Sequence, residues 1–118
     1  MIPPFNNLQL SPLKDKYFIR TCPWRWLNDT SITVYDKNKP RVITLDPWPQ
    51  TVFLEATGDK TISEFIFYLA AQYKGEKIPA ELDVTVLELV KTLLTEQVIE
   101  LKDRKTSLPP GILKPMDN

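Results

Sequence analysis

The stretch SITVYDKNKPRVITL, residues 31–45, decides the fold that this sequence predicts. Residues 31–35 alternate polar and apolar side chains, which is typical of a strand with one buried face. Residues 36–40 form a polar turn, and residues 41–45 supply a return strand. Pro40 cannot donate a hydrogen bond to a neighbouring strand, so it must lie at the start of the return strand or on an edge. The pattern predicts a β-hairpin.

The residues before the hairpin are irregular, with prolines and paired asparagines. Residues 16–21, Lys-Tyr-Phe-Ile-Arg-Thr, favour a strand because aromatic and β-branched side chains suit a half-buried pleated surface. The segment Cys-Pro-Trp-Arg-Trp at 22–26 indicates a lid packed on the core, since large rings stabilise most when they are buried. We therefore expect residues 1–30 to be an N-terminal extension with an edge strand.

Helical patterns follow the hairpin. Asp46 is a good N-cap for a first helix, and residues 57–60 are expected to stop it, with Gly58 in a left-handed position. A second helix begins with a capping box of Thr61 and Glu64 and carries apolar residues at helical spacing up to Tyr73, before Gly75.

A third helix is predicted from residue 79 or 80, with an apolar arc of about 140°. The β-prone residues 98–101 either end this helix or form a short strand, and the pattern leaves both open. The order predicts an α+β, winged-helix-like domain at 31–102, in which a small antiparallel sheet packs on three helices. Residues 103–118 are a proline-rich tail that either docks in extended form or is disordered.

Composition excludes several classes of enzyme. The 118 residues include no histidine and one cysteine, so neither a Ser-His-Asp nor a Cys-His pair is available, and no cysteine-rich or imidazole metal site is expected. We expect no catalysis, no metal and no cofactor. No apolar run approaches the roughly 18 residues of a membrane span, and no secretory signal is visible, so the expected location is cytoplasmic, without membrane contact.

Nucleic-acid binding is disfavoured by charge. Lysine plus arginine and aspartate plus glutamate each total 15, and residues 80–100 contain five acids against the single base Lys91. Such a helix would be repelled by phosphates. The basic cluster at 102–105 is the one feature that favours a winged-helix nucleic-acid binder. A structural interaction subunit whose proline-rich ends wrap a partner or a second copy is a further alternative, and both monomer and dimer stay open.

Peptide binding fits the predicted elements. The return strand offers an unpaired edge to which an extended peptide adds as a further strand. The third helix would line the cleft with Val86, Leu89 and Leu93, or these residues pack under the N-terminal segment. The strand residues of this site are Arg41, Val42, Ile43, Thr44 and Leu45.

The stretch from about residue 41 to 101 resembles the PqqD-like family, named for protein D of pyrroloquinoline quinone biosynthesis and sharing the fold of the recognition element for ribosomally made, modified peptides. The matching residues are Leu45-Asp46, Val52, Gly58 and Thr61 of a turn with Ile62 after it, Tyr73, Asp83-Val84, Leu87, Leu94 and Val98-Ile99. Thr57 stands where the family usually has aspartate, and Pro47-Trp48-Pro49 is an unusual helix start.

The resemblance implies a non-catalytic peptide chaperone. Such a protein holds the leader of a precursor peptide as an added strand and presents it to a modifying enzyme, often a radical S-adenosylmethionine enzyme. By position, the groove is residues 41–45 and a helix face with Val86, Leu89, Val90 and Leu93. The implied partners are a precursor peptide or a protein partner.

Overall fold

The computed structural model describes residues 2–36, 39, 41–73 and 77–116 and confirms the α+β class. Four consecutive strands follow a short first helix, and most of the described strands precede the longest helix. The elements are α1 Asn6–Leu10, β1 Tyr17–Arg20, β2 Trp24–Trp26, β3 Ile32–Asp36, β4 Arg41–Thr44, α2 Pro47–Glu55, β5 Thr57–Thr61, α3 Ile62–Ala70, α4 Leu82–Thr95, β6 Ile99–Lys102 and α5 Pro110–Leu113.

The strands form two three-stranded antiparallel sheets, in the orders β2-β3-β4 and β5-β1-β6. The predicted hairpin is confirmed as β3 and β4, with Thr33 opposite Thr44 and Asp36 opposite Arg41. Residues 37, 38 and 40 of its predicted turn lie outside the described residues. The strand predicted at 16–21 also forms, but β1 lies at the centre of its sheet, where an edge position was expected.

The segment 57–60, predicted only to stop the first helix, is strand β5. Helix α2 does end there, at Glu55, and Gly58 has the expected positive φ of 86°. The prediction missed the strand because its partner β1 lies about forty residues earlier in the sequence, and pairing with a distant strand overrides a weak local preference.

The helix starts follow their local chemistry. The Thr61 hydroxyl accepts from the Glu64 amide, and the Glu64 carboxylate accepts from the Thr61 amide, which is the predicted capping box. Helix α3 ends at Ala70, earlier than predicted, and Gly75 lies outside the described residues. Helix α4 ends at Thr95, and the undecided residues after it form β6.

One core joins the N-terminal zone to the helices that follow the hairpin. Phe5, Leu8 and Phe18 of the N-terminal zone are buried together with the apolar residues of α2, α3 and α4. The Leu8 amide donates to the buried Asp83 carboxylate at 3.0 Å, which fixes α1 against α4. The folded unit therefore reaches beyond the predicted domain at 31–102. Within the described part of the chain, no helix has the length and apolar character needed to cross a bilayer.

Candidate functional site

The described part of the C-terminal tail, residues 103–116, covers two of the four outer strand edges of the described sheets. The Trp24 carbonyl on the outer side of β2 accepts from the Met116 amide at 2.7 Å. The Gly58 carbonyl on the outer side of β5 accepts from the Thr106 amide at 2.8 Å. Of the two alternatives for the tail, the structure shows docking, and it does so with a helical turn, α5, whose Ile112 is buried.

A buried arginine holds this tail in place. The Arg20 guanidinium donates to the carbonyls of Leu54 at 2.7 Å, Leu113 at 3.1 Å and Ile112 at 3.2 Å. The indole of Trp24 donates to the Ile112 carbonyl at 3.0 Å. Burial lowers the pKa of Arg20 to about 10, although the nearby Glu55 opposes this shift. The carbonyl oxygens of the tail thus replace water around a desolvated cation.

The outer edge of β4 is open. The Tyr35 amide donates to the carbonyl of Pro23, the residue just before β2, so the odd-numbered residues of β3 turn their polar groups towards β2. Antiparallel pairing alternates these directions along a strand. The backbone groups of Val42 and Thr44 must therefore point away from β3, and no described residue forms a hydrogen bond with them.

The strand part of the predicted site lies at this edge. Val42 is 59% exposed and Thr44 is also exposed, whereas Ile43 and Leu45 are half-buried and pack against the core. Within residues 41–45, Val42 and Thr44 thus present outward backbone groups beside the half-buried side chains of Ile43 and Leu45.

The helix residues of the predicted site lie mostly in the core. Val86 and Val90 are fully buried and Leu93 is 1% exposed, so these three side chains belong to the core and line no accessible groove. Leu89 alone is half-buried. The apolar arc of α4 is wide because α1, α2 and α3 all pack against this helix. The spacing of apolar residues alone does not distinguish such an arc from one that faces a ligand.

Arg41 connects β4 to the end of α4. Its guanidinium donates to the carboxylates of Asp36 at 2.7 Å and Glu96 at 2.5 Å. Both hydrogen bonds raise the pKa of Arg41, and the one with Asp36 has the larger effect. Asp36 is predictable from the hairpin register, but Glu96 is 55 residues away and carries no sequence signal. Arg41 is thus a structural clamp beside the edge.

A second open edge was not predicted. β6 is the outer strand of the other sheet, and a cleft of about 430 Å³ runs beside it. Its lining residues are Leu94, Gln97, Ile99, Glu100 and Leu101. Sequence reasoning missed this site because it did not decide whether residues 98–101 form a strand.

Groups that could carry chemistry are few. Cys22 is buried, and no cluster of cysteine, aspartate or glutamate side chains suited to a metal ion occurs in residues 2–36, 39, 41–73 and 77–116. Comparison of the chain with protein-family models, with curated proteins and with solved structures gives no match.

Proposed function

We propose that this protein is a non-catalytic adaptor that binds an extended peptide by strand addition to β4. The observation that carries the proposal is the pair of unpartnered backbone positions, Val42 and Thr44, on the outer side of that strand. An extended segment placed alongside would exchange main-chain hydrogen bonds with both, which is how peptides add to exposed sheet edges.

Affinity and selectivity would come from different groups. Each main-chain hydrogen bond contributes about 1 kcal/mol net, so a few of them give weak, sequence-tolerant binding. Selectivity requires side chains of the peptide to meet apolar surface. Ile43 and Leu45 on the strand are half-buried and would provide that surface.

The edge is held ready before any peptide arrives. β3 pairs with all four residues of β4, and Arg41 ties the strand to Asp36 and to the C-terminal end of α4. A strand that is already ordered loses less entropy on binding than a flexible loop would. This supports recognition by a preformed site.

The family resemblance supplies the finer proposal. It identifies the bound segment as the leader of a precursor peptide and the receiving partner as a modifying enzyme, of which a radical S-adenosylmethionine enzyme is one candidate. In this reading the adaptor positions the peptide, and the partner performs the chemistry. The proposed location is the cytoplasm.

The test uses a peptide selected from a displayed random library against the full chain. We expect its binding to shift the backbone amide signals of Val42, Ile43 and Thr44 in NMR spectra. Val42→Pro removes one outward N–H without removing a bond to β3, because proline is tolerated on the open side of an edge strand. We expect this variant to lose peptide binding while it stays folded.

Leu101→Pro is the matched control, because it makes the same change on the open edge of β6. It should leave peptide binding unchanged. Equal binding to wild type and Val42→Pro, or shifts confined to residues far from β4, would refute the proposal.

A further inference from the structure

We propose that two copies of this chain pair through β6, related by a two-fold axis, and join their β5-β1-β6 sheets into one continuous sheet. The inference concerns a different sheet from the peptide site on β4 and does not depend on it. The direction of the backbone groups of β6, the order of its charges and the cleft beside it support this pairing.

The backbone of β6 alternates in a known direction. The Thr21 amide donates to the Val98 carbonyl at 2.9 Å, so the groups of Val98 and, two residues on, Glu100 face β1. The Arg20 amide, opposite Ile99, instead donates to the Ala56 carbonyl, on the side of β1 that faces away from β6. The polar groups of Ile99 and Leu101 therefore point outward, and no described residue bonds to them.

Charge then selects one register for antiparallel self-pairing. Placing Leu101 opposite the partner copy's Leu101 lets these two residues exchange two hydrogen bonds. It also sets Glu100 opposite the partner copy's Lys102, and Lys102 opposite the partner copy's Glu100. These are non-hydrogen-bonded pairs, in which side chains lie closest together.

The neighbouring registers place like charges together. A shift of the partner strand by two residues, in either direction, keeps outward backbone groups facing each other. One shift places Glu100 opposite the partner copy's Glu100, and the other places Lys102 opposite the partner copy's Lys102. Like charges directly opposite each other destabilise a sheet. The sequence Ile99-Glu100-Leu101-Lys102 is thus self-complementary in a single alignment.

Apolar surface accompanies this alignment. Leu94 and Leu101 line the cleft beside the strand and are half-buried in the monomer, whereas the Ile99 side chain lies in the core. A second copy would bring its own Leu101 against this surface. Because the strand has only four residues, the contact is small and the dimer should be weak and dependent on concentration.

The test is sedimentation velocity of the full chain over a series of concentrations. Wild type should pass from monomer to dimer as concentration rises. Glu100→Lys and Lys102→Glu should each weaken the dimer about tenfold or more, because both cross-strand pairs become repulsive.

Mixing the two variants distinguishes the loss of the contact between copies from the loss of the ion pair within each chain. Lys102 Nζ lies 3.2 Å from Glu100 Oε2 of the same chain, and both single variants lose this bond. In the mixture, positions 100 and 102 are positive on one copy and negative on the other, so both cross-strand pairs become attractive. A heterodimer that forms when neither variant dimerises alone supports the proposal.

Glu88→Lys, on the exposed face of α4, is the control for net charge and should leave association unchanged. A wild-type chain that stays monomeric at its highest soluble concentration would overturn the proposal. A dimer that Glu100→Lys leaves intact would overturn it as well, because the contact would then lie elsewhere.

Discussion

The outer edges of β2 and β5 form hydrogen bonds with the described part of the C-terminal tail, whereas those of β4 and β6 do not. The C-terminal tail bonds to Trp24 on β2 and to Gly58 on β5. On β4 and β6 the outward groups have no described partner. An uncovered edge is a template for pairing with another chain, and proteins usually block it.

The tail covers the two closed edges along a fixed path. The tail contains enough chain to close two edges, and a buried cation and an indole fix its path. Both open strands contact the region at the C-terminal end of α4, β4 through the ion pair of Arg41 with Glu96 and β6 through the cleft that Leu94 lines. Uncovered backbone next to half-buried apolar side chains is the combination that strand addition requires.

The largest expected effect concerns the closed edges. Arg20→Leu removes the guanidinium donor from the carbonyls of Leu54 and Leu113 and leaves the Ile112 carbonyl with the Trp24 indole alone. Each unsatisfied buried acceptor is costly. We expect the free energy of unfolding to fall by about 3 kcal/mol, measured by urea denaturation. Arg25→Leu, at a half-buried cation stacked over Tyr35, should cost about 1 kcal/mol or less. Equal losses in the two variants would refute the role of Arg20.

A smaller loss is expected from Gly58→Ala. Gly58 has a φ of 86°, and a Cβ there would lie 2.7 Å from the Thr106 carbonyl oxygen and also against its hydroxyl. We expect a destabilisation of about 2 kcal/mol by thermal or urea unfolding, because the tail must move. Gly111→Ala in α5 meets nothing within 4 Å and should be neutral or slightly stabilising. If both substitutions have the same effect, the tail does not contact β5 closely.

Amide hydrogen exchange compares the two kinds of edge directly. In dilute protein, the amides of Thr106 and Met116 should exchange at least about tenfold more slowly than those of Val42 and Thr44, because only the former donate hydrogen bonds. Arg20→Leu should remove the protection at Met116 and leave Val42 unaffected. Slow exchange at Val42 in the isolated monomer would show that the β4 edge is covered.

The smallest effect is expected at the open edge itself. Val42 is 59% exposed, so Val42→Lys should change the free energy of unfolding by about 0.5 kcal/mol or less in urea denaturation. Ile32→Lys, at a fully buried position on the adjacent strand, is the contrasting variant and should be severely destabilising. A large loss in Val42→Lys would mean that Val42 packs against other residues.

Local patterns were informative wherever neighbouring residues decide the structure. The hairpin follows from alternation at 31–35 and 41–45, and the start of α3 follows from Thr61 and Glu64. The open edge of β4 was also predictable, since it requires only that the return strand be the last of its sheet. The apolar lining was not, because Val86, Val90 and Leu93 face other helices.

The sequence by itself determined the α+β class, the hairpin, the first turn of α3 and the absence of a histidine-based catalytic set. Only the tertiary structure decided that β1 is a central strand, that residues 57–61 pair with it, and that the tail closes two edges while two stay open. The reason is distance along the chain. Caps and turns depend on residues a few positions apart, whereas strand partners such as β1 with β5 and β6 lie tens of residues apart, where no local pattern records the choice.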